Sequence, residues 1–231
     1  MSDAILPDAG ALAAYAAEWI AARITASSGT FRFSLTGGST PRRTYELLAA
    51  RGGVDWHRVE FYWGDERFVP HDSPASNYRL AHDTLLTRIG AHTEHPWPVD
   101  GAPEDSARAY EALLKRQYGA DNFDPARPFF DLMLLGLGDD GHICSLFPGQ
   151  QSLRETKRWT LAVPTGRPEI RVTLTFPAVE SSRAVAFLVS GKEKAAAVRG
   201  VRAGDASLPG ALLKPQGEVF WLMDRAAAAL L

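Results

Sequence analysis

The stretch FDLMLLGLGDDGHICSLFPG, residues 130–149, opens as an apolar run and then sets two carboxylates, a histidine and the only cysteine into a glycine-rich turn. Asp140 stands two residues before His142, with Gly138 and Gly141 around them. At that spacing a carboxylate can hold an imidazole in one tautomer and raise its basicity, which is what a general base requires. A lone histidine commonly serves packing alone; one beside an acid in a glycine turn at a strand end favours base chemistry. GLGDDG also fits the pattern G-x-G-x-x-G. Asp139 and Asp140 would repel a pyrophosphate, however, and Pro148 and Gly149 leave little room for the helix that should follow, so a nicotinamide cofactor is not expected. Cys144 reads as a small buried filler rather than a nucleophile. His92 and His95 fall in a proline-rich loop, and the histidines show no metal-ligand spacing.

Three further segments offer complementary chemistry. In SLTGGSTPRRTY a strand runs into Gly37 and Gly38, then Ser39, Thr40 and a helix opened by Pro41. Sharp turning at the glycines, two hydroxyls and the free amides of a helix start make a cup for an anion such as phosphate. Arg42 and Arg43 support that reading, since cations in a first helical turn oppose the helix dipole unless an anion is near. The same residues also suit an ordinary βα turn with two solvated arginines. In WGDERFVPHDSPASNY, Gly64 ends a strand and Asp65, Glu66 and Arg67 follow in a loop. They can orient polar substrate groups, or equally form a solvated turn with one internal salt bridge. RVTLTFPAV contributes Arg171, and SGKEKAAAV contributes Lys192 and Lys194 past a strand and a glycine. Those cations can close over an anion held by the first turn; on a helix, lysines are otherwise simply solvated.

These residues share strand ends, which points to the elements that must carry them. Apolar β-rich runs alternate with helical patterns, the signature of an α/β fold of Rossmann-like, doubly wound type: a mostly parallel sheet with helices on both faces. Strands are expected near 31–36, 58–63, 130–136, 158–163, 184–190 and 218–223, and helices near 8–26, 41–51, 77–88, 103–118, 191–202 and 224–230. Ser76 suits an N-cap, and Gly52 or Gly119 suits the left-handed residue after a last turn. Residues 92–103 read as the most loop-like stretch, but the strands beyond them are expected to continue one sheet, so residues 1–231 are taken as a single domain.

With 231 residues and 45% apolar content the chain can bury a sizeable core. A net charge of −2, without zinc-finger, RNP or arginine-rich patterns, argues against a nucleic-acid partner. No apolar stretch approaches a membrane span, and the alanine-rich run 9–24 lacks the positive flank of a secretory signal. One cysteine cannot form an internal disulfide, so a reducing cytoplasm is the expected compartment.

Taken together and in this order, LTGGSTP, GDERFVP with SNY, GLGDDGHICSLFPG, RVTLTFPAV and SGKEKAAAV resemble the glucosamine-6-phosphate isomerase/6-phosphogluconolactonase family, over nearly the whole chain. The lactonase branch of that resemblance implies hydrolysis of 6-phospho-D-glucono-1,5-lactone in the oxidative pentose phosphate pathway, without metal or cofactor. It assigns His142 as catalytic base, Asp140 as the acid that orients it, and Arg67 to the active-site loop. Gly37, Gly38, Ser39 and Thr40, with Arg171 and Lys194, correspond to the sugar-phosphate site, and Asp65, Gly138 and Gly141 to substrate contacts. Asp65 falls where the deaminase branch carries its proton-moving acid. That branch places a glutamate a few residues after D-G-H, whereas here Ser145, Leu146, Phe147 and Pro148 follow, so the lactonase reading is preferred. A deaminase-type isomerase or a non-catalytic sugar-phosphate sensor is the alternative. The expected partner is a small-molecule sugar phosphate, bound by a monomer or weak homodimer.

Overall fold

The computed structural model describes residues 2–90, 92–165 and 167–231. Its main sheet is built from β1 (Ser2–Leu6), β2 (Phe31–Leu35), β3 (Val59–Trp63), β5 (Thr93–Glu94), β6 (Leu132–Leu135), β9 (Ala184–Val189) and β10 (Glu218–Asp224). They lie in the order β1-β10-β9-β6-β2-β3-β5, and every pairing is parallel. Parallel strands must be covered on both faces, and β6 and β9 obey: LMLL and AVAFLV are buried at every position. A second, antiparallel sheet joins β4 (Asp65–Arg67), β8 (Arg171–Leu174) and β7 (Thr160–Val163).

The helices are α1 (Ala9–Ala26), α2 (Ser39–Ala49), α3 (Asn77–Thr84), α4 (Pro103–Tyr118), α5 (Phe176–Glu180), α6 (Ala195–Arg202) and α7 (Pro209–Leu212). Their ends follow local chemistry. Asp8 caps α1 by accepting from Ala11 N at 2.9 Å, and Ser76 caps α3 through Arg79 N at 3.1 Å. α4 has Pro103 at its first position, Glu104 and Asp105 in the first turn, Lys115 and Arg116 in the last, and Gly119 left-handed beyond it. One hydrophobic core runs through both sheets, from Leu12 and Ile20 of α1 through Phe33, Leu134 and Phe187 to Val172 and Leu174 of β8.

Several expectations need correction. β7 does not continue the main sheet, because it pairs with β8, which in turn receives β4. Asp65 to Arg67 are accordingly a strand rather than a loop. Glu66 is buried, not solvated: its carboxylate accepts from the N–H groups of Arg67, Asn77 and Tyr78 and from the Ser76 hydroxyl. Burial pushes its carboxyl up, while those donors counter. The helix expected at 224–230 is a set of turns, since the Asp224 carboxylate takes the Ala227 N–H at 2.7 Å and also receives Gly191 N–H. Gly53, not Gly52, is left-handed. β1 is mostly exposed and sets two polar residues before three consecutive apolar ones, so no alternation marked it, and Thr93–Glu94 adds an edge strand inside the stretch read as loop.

The topology itself locates a ligand site. From β2 the chain moves outward to β3, while from β6 it moves the other way to β9 and β10. Between β2 and β6 the direction of winding reverses, and in such sheets the crevice beyond the carboxyl ends at that point is where ligands bind.

Candidate active site

A cavity of about 200 Å³ opens at that switch point. The end of β2 supplies Thr36, Gly37 and Gly38 and the start of α2 supplies Ser39 and Thr40; the end of β6 supplies Gly136 and Gly138, and the turn beyond it His142. β4 adds Asp65 and Arg67, α3 adds Asn77, and the segment after β9 adds Ser190 and Lys194. Residues 39 and 142, far apart in sequence, therefore face one space. Gly136 N donates to Thr36 Oγ1 at 3.3 Å, tying the two strand ends together.

The first turn is shaped as an anion cup. Gly38 caps α2 with φ +102, a conformation that side chains resist, and leaves the α2 amides without a capping side chain. Tyr45 fixes the turn from behind, donating to Thr36 O at 2.8 Å and accepting from Thr36 N at 2.9 Å. On the far side the Asp224 carboxylate holds Gly191 N and the Ser190 hydroxyl, which sets the turn that brings Lys194 to the wall. Arg42, Arg43 and Lys192 stay exposed outside the cavity, Arg43 being paired with Glu46 at 2.9 Å.

The imidazole turn is equally specific. Gly138 N donates to His142 O at 2.9 Å, and Gly141 N to Gly138 O at 3.0 Å. A Cβ on Gly138 would stand 2.0 Å from His142 Nδ1, so the ring packs directly against this glycine. His142 Nδ1 is 2.6 Å from Asp140 Oδ1. An ionised carboxylate only accepts, so Nδ1 carries the proton and Nε2 keeps the lone pair. Partial burial works to raise the Asp140 carboxyl, but the His142 hydrogen bond and charge, with Arg167, outweigh it and hold it below the ordinary carboxylate range. Phe147 packs on the ring, centroids 4.9 Å apart.

Opposite, Asp65 is held by Ser145 Oγ at 2.6 Å and by Asn77 Nδ2 at 3.3 Å. Arg67 donates to Ala75 O at 2.6 Å, leaving its Nε without a partner.

Nine of the expected site residues line the cavity: Gly37, Gly38, Ser39, Thr40, Asp65, Arg67, Gly138, His142 and Lys194. Asp140 sits one bond behind His142. Arg171 and Gly141 stand off the wall. Arg171 lies opposite Arg67 in the β4–β8 register and donates to Glu169 at 3.0 Å; burial, then the Arg67 charge, lowers its pKa. Gly141 is left-handed at φ +76 and abuts Leu208, so its part is to close the turn. Cys144, expected to be a buried filler, lines the cavity with a left-handed backbone at φ 47, and burial together with Asp65 pushes its thiol well up. Asn77 and Arg167 were not anticipated. The S-N-Y segment could have flagged Asn77, whereas nothing in the sequence around Arg167 marks it. Among the described residues no group of three His, Cys, Asp or Glu is placed to hold a metal ion, and no helix is long and apolar enough to cross a membrane.

Comparison with known proteins gives the family and the fold. The sequence model of the family described as glucosamine-6-phosphate isomerases/6-phosphogluconolactonase matches residues 7–221. A protein of Nostoc sp. named 6-phosphogluconolactonase is 37% identical, over 97% of this chain and 96% of that one. One of Mycobacterium leprae with the same name is 41% identical, over 84% and 83%. The solved structure of 6-phosphogluconolactonase from Trypanosoma cruzi superposes with a TM-score of 0.86 at 30% identity, covering 100% of this chain and 96% of that one.

Proposed function

The chain belongs to the glucosamine-6-phosphate isomerase/6-phosphogluconolactonase family, and from that premise we propose that it is a lactone-hydrolysing enzyme acting on 6-phospho-D-glucono-1,5-lactone. The observation that carries the reading is the Asp140–His142 pair, 2.6 Å apart, in the wall of a cavity whose other wall is the Gly37–Thr40 turn. A base and an anion cup facing one space suit a sugar lactone with a phosphate at its far end.

The phosphate is held by the Ser39 and Thr40 hydroxyls, the α2 amides and Lys194, and this remote binding fixes C1 for attack. His142 Nε2 takes a proton from the attacking water, and the water oxygen bonds to C1 as the carbonyl electrons move onto its oxygen. Asp140 stabilises the resulting imidazolium. When the tetrahedral intermediate collapses, the bond from C1 to the ring oxygen breaks and the imidazolium returns its proton to that oxygen, giving the open-chain carboxylic acid. Arg67 is the cavity cation on the β4 side and has unused donor capacity for charge developing near C1.

The deaminase reading lacks its acid: Ser145 to Pro148 contain no glutamate, and Phe147 packs on the imidazole. In the same proposal residues 1–231 act as one domain in a reducing cytoplasm, as a monomer or weak homodimer, in keeping with the shared core and the single cysteine.

The test follows freshly generated lactone, above its spontaneous hydrolysis, with wild type and His142→Ala. Turnover is expected to fall roughly 10²-fold or more. Near-normal turnover in the folded variant rejects His142 as base; ammonia release from glucosamine 6-phosphate by the wild type would restore the deaminase reading, and tight binding of 6-phosphogluconate without lactone hydrolysis the sensor reading.

A further inference from the structure

Arg167 stands on the connection between β7 and β8, four residues before Arg171 and outside the motifs that marked the site. Its guanidinium nitrogen donates to Asp140 Oδ2 at 2.7 Å and lies 3.4 Å from His142 Nδ1. Its Cζ sits 4.7 Å over the Phe147 ring, the same ring that packs on the imidazole. The two oxygens of Asp140 are thus divided, one to the imidazole and the other to the guanidinium. We propose that Arg167 is a positioning residue for the reaction proposed above: it locks Asp140 into the orientation that aims His142 and, by sharing that carboxylate, favours the neutral imidazole, whose Nε2 acts as the base.

The physical argument has two parts. A carboxylate with one fixed oxygen can still rotate about its Cβ–Cγ bond, and a second charge-assisted bond on the other oxygen removes that freedom. A cation this close to the ring also opposes addition of a second positive charge, while the shared Asp140 offers the imidazolium less stabilisation than an unshared one would. Both effects act in one direction. The other charged or titratable groups that face His142 across the cavity are Asp65, Arg67, Lys194 and Cys144; among the described residues none is hydrogen-bonded to the imidazole. Arg167 does not line the cavity, so it acts through Asp140 and His142 rather than on substrate.

The inference rests on the lactonase reading for its catalytic consequence, but not for its first measurement. Titration of the His142 imidazole by NMR in the ligand-free protein, assigned with His142→Gln, reads the effect without substrate. In Arg167→Ala the His142 titration midpoint is expected to rise by about half to one pH unit, the scale of one charge at this distance with strong solvent screening. Arg167→Lys should recover most of it. In the lactonase assay the acidic limb of the kcat/KM profile should move the same way, so that Arg167→Ala loses more activity at pH 6 than at pH 8, with KM little changed. A midpoint that stays at the wild-type value, or a loss equal at all pH values, overturns the inference. Absence of lactone hydrolysis in the wild type, with the midpoint shifted as expected, overturns the lactonase reading instead and leaves the Arg167–Asp140–His142 linkage standing.

Discussion

Ser145 Oγ donates to Asp65 Oδ2 at 2.6 Å, joining the imidazole turn after β6 to the first residue of β4, 80 positions earlier. Ser145 is itself fixed, its N–H donating to Thr173 Oγ1 of β8 at 3.1 Å. The bond ties the loop carrying His142 to the small sheet carrying Asp65 and Arg67. Ser145→Ala leaves a cavity carboxylate short of a buried donor, so a loss of about 1–3 kcal/mol is expected. Urea unfolding measures it; an unchanged midpoint would show that the bond is replaced by water at no cost.

Lys194 and Arg171 share a sequence-based assignment to the phosphate, but only Lys194 lines the cavity. Lys194→Ala is expected to raise KM by roughly tenfold with kcat nearly kept, as befits lost ground-state binding. Arg171→Ala should affect KM less and lower stability, because its partners are Glu169 and the neighbouring strand. Equal KM effects of the two would place Arg171 on the substrate after all.

Gly138 offers a steric test of the imidazole's position. Alanine there would put a Cβ 2.0 Å from His142 Nδ1 and 2.5 Å from Asp140 Oδ1, so the pair must separate. A misaligned base costs on the order of 10²-fold in rate, which steady-state assays of the folded Gly138→Ala protein would detect. Wild-type turnover in that variant would mean that the imidazole does not react from the position seen here.

His95 stacks on Tyr62 with ring centroids 4.7 Å apart, and burial lowers its pKa against the opposing charge of Glu60. The unfolded chain takes up a proton near pH 6.5 that the folded chain accepts only at lower pH. Stability should therefore drop as pH falls from about 6.5 towards the folded value. Glu66, Asp131 and Glu180, whose carboxyls are raised by burial, shift stability in the opposite sense as pH falls. Comparing urea midpoints of wild type and His95→Gln at pH 7 and 5.5 cancels them; parallel curves would remove His95 from the acid sensitivity. The depressed Asp140 acts in a separate window, stabilising above its unfolded pKa of about 3.9 and losing that contribution as pH falls through its lower folded value.

What the sequence made legible follows physical rule. Buried runs such as AVAFLV and LMLL signal parallel strands by continuity alone, and α4 carries its proline, acids, bases and glycine in order, so these elements could be read directly. The small sheet escaped because β4 has three polar residues whose strand state depends on pairing with β8, a non-local contact. Site residues at strand ends could be picked out because the chemistry sits where parallel sheets bind ligands. Arg167 could not, since its significance lies in a contact 27 positions away in sequence, within a loop of unremarkable composition.

The Asp224 carboxylate at the end of β10 pins Ser190 and Gly191, the turn from which Lys194 reaches the cavity. A nascent polypeptide still on the ribosome can already own its imidazole turn and its glycine cup yet lack the anchor that sets the third wall. Chains that stop short of position 224 are therefore expected to be catalytically silent even where they have acquired helical structure.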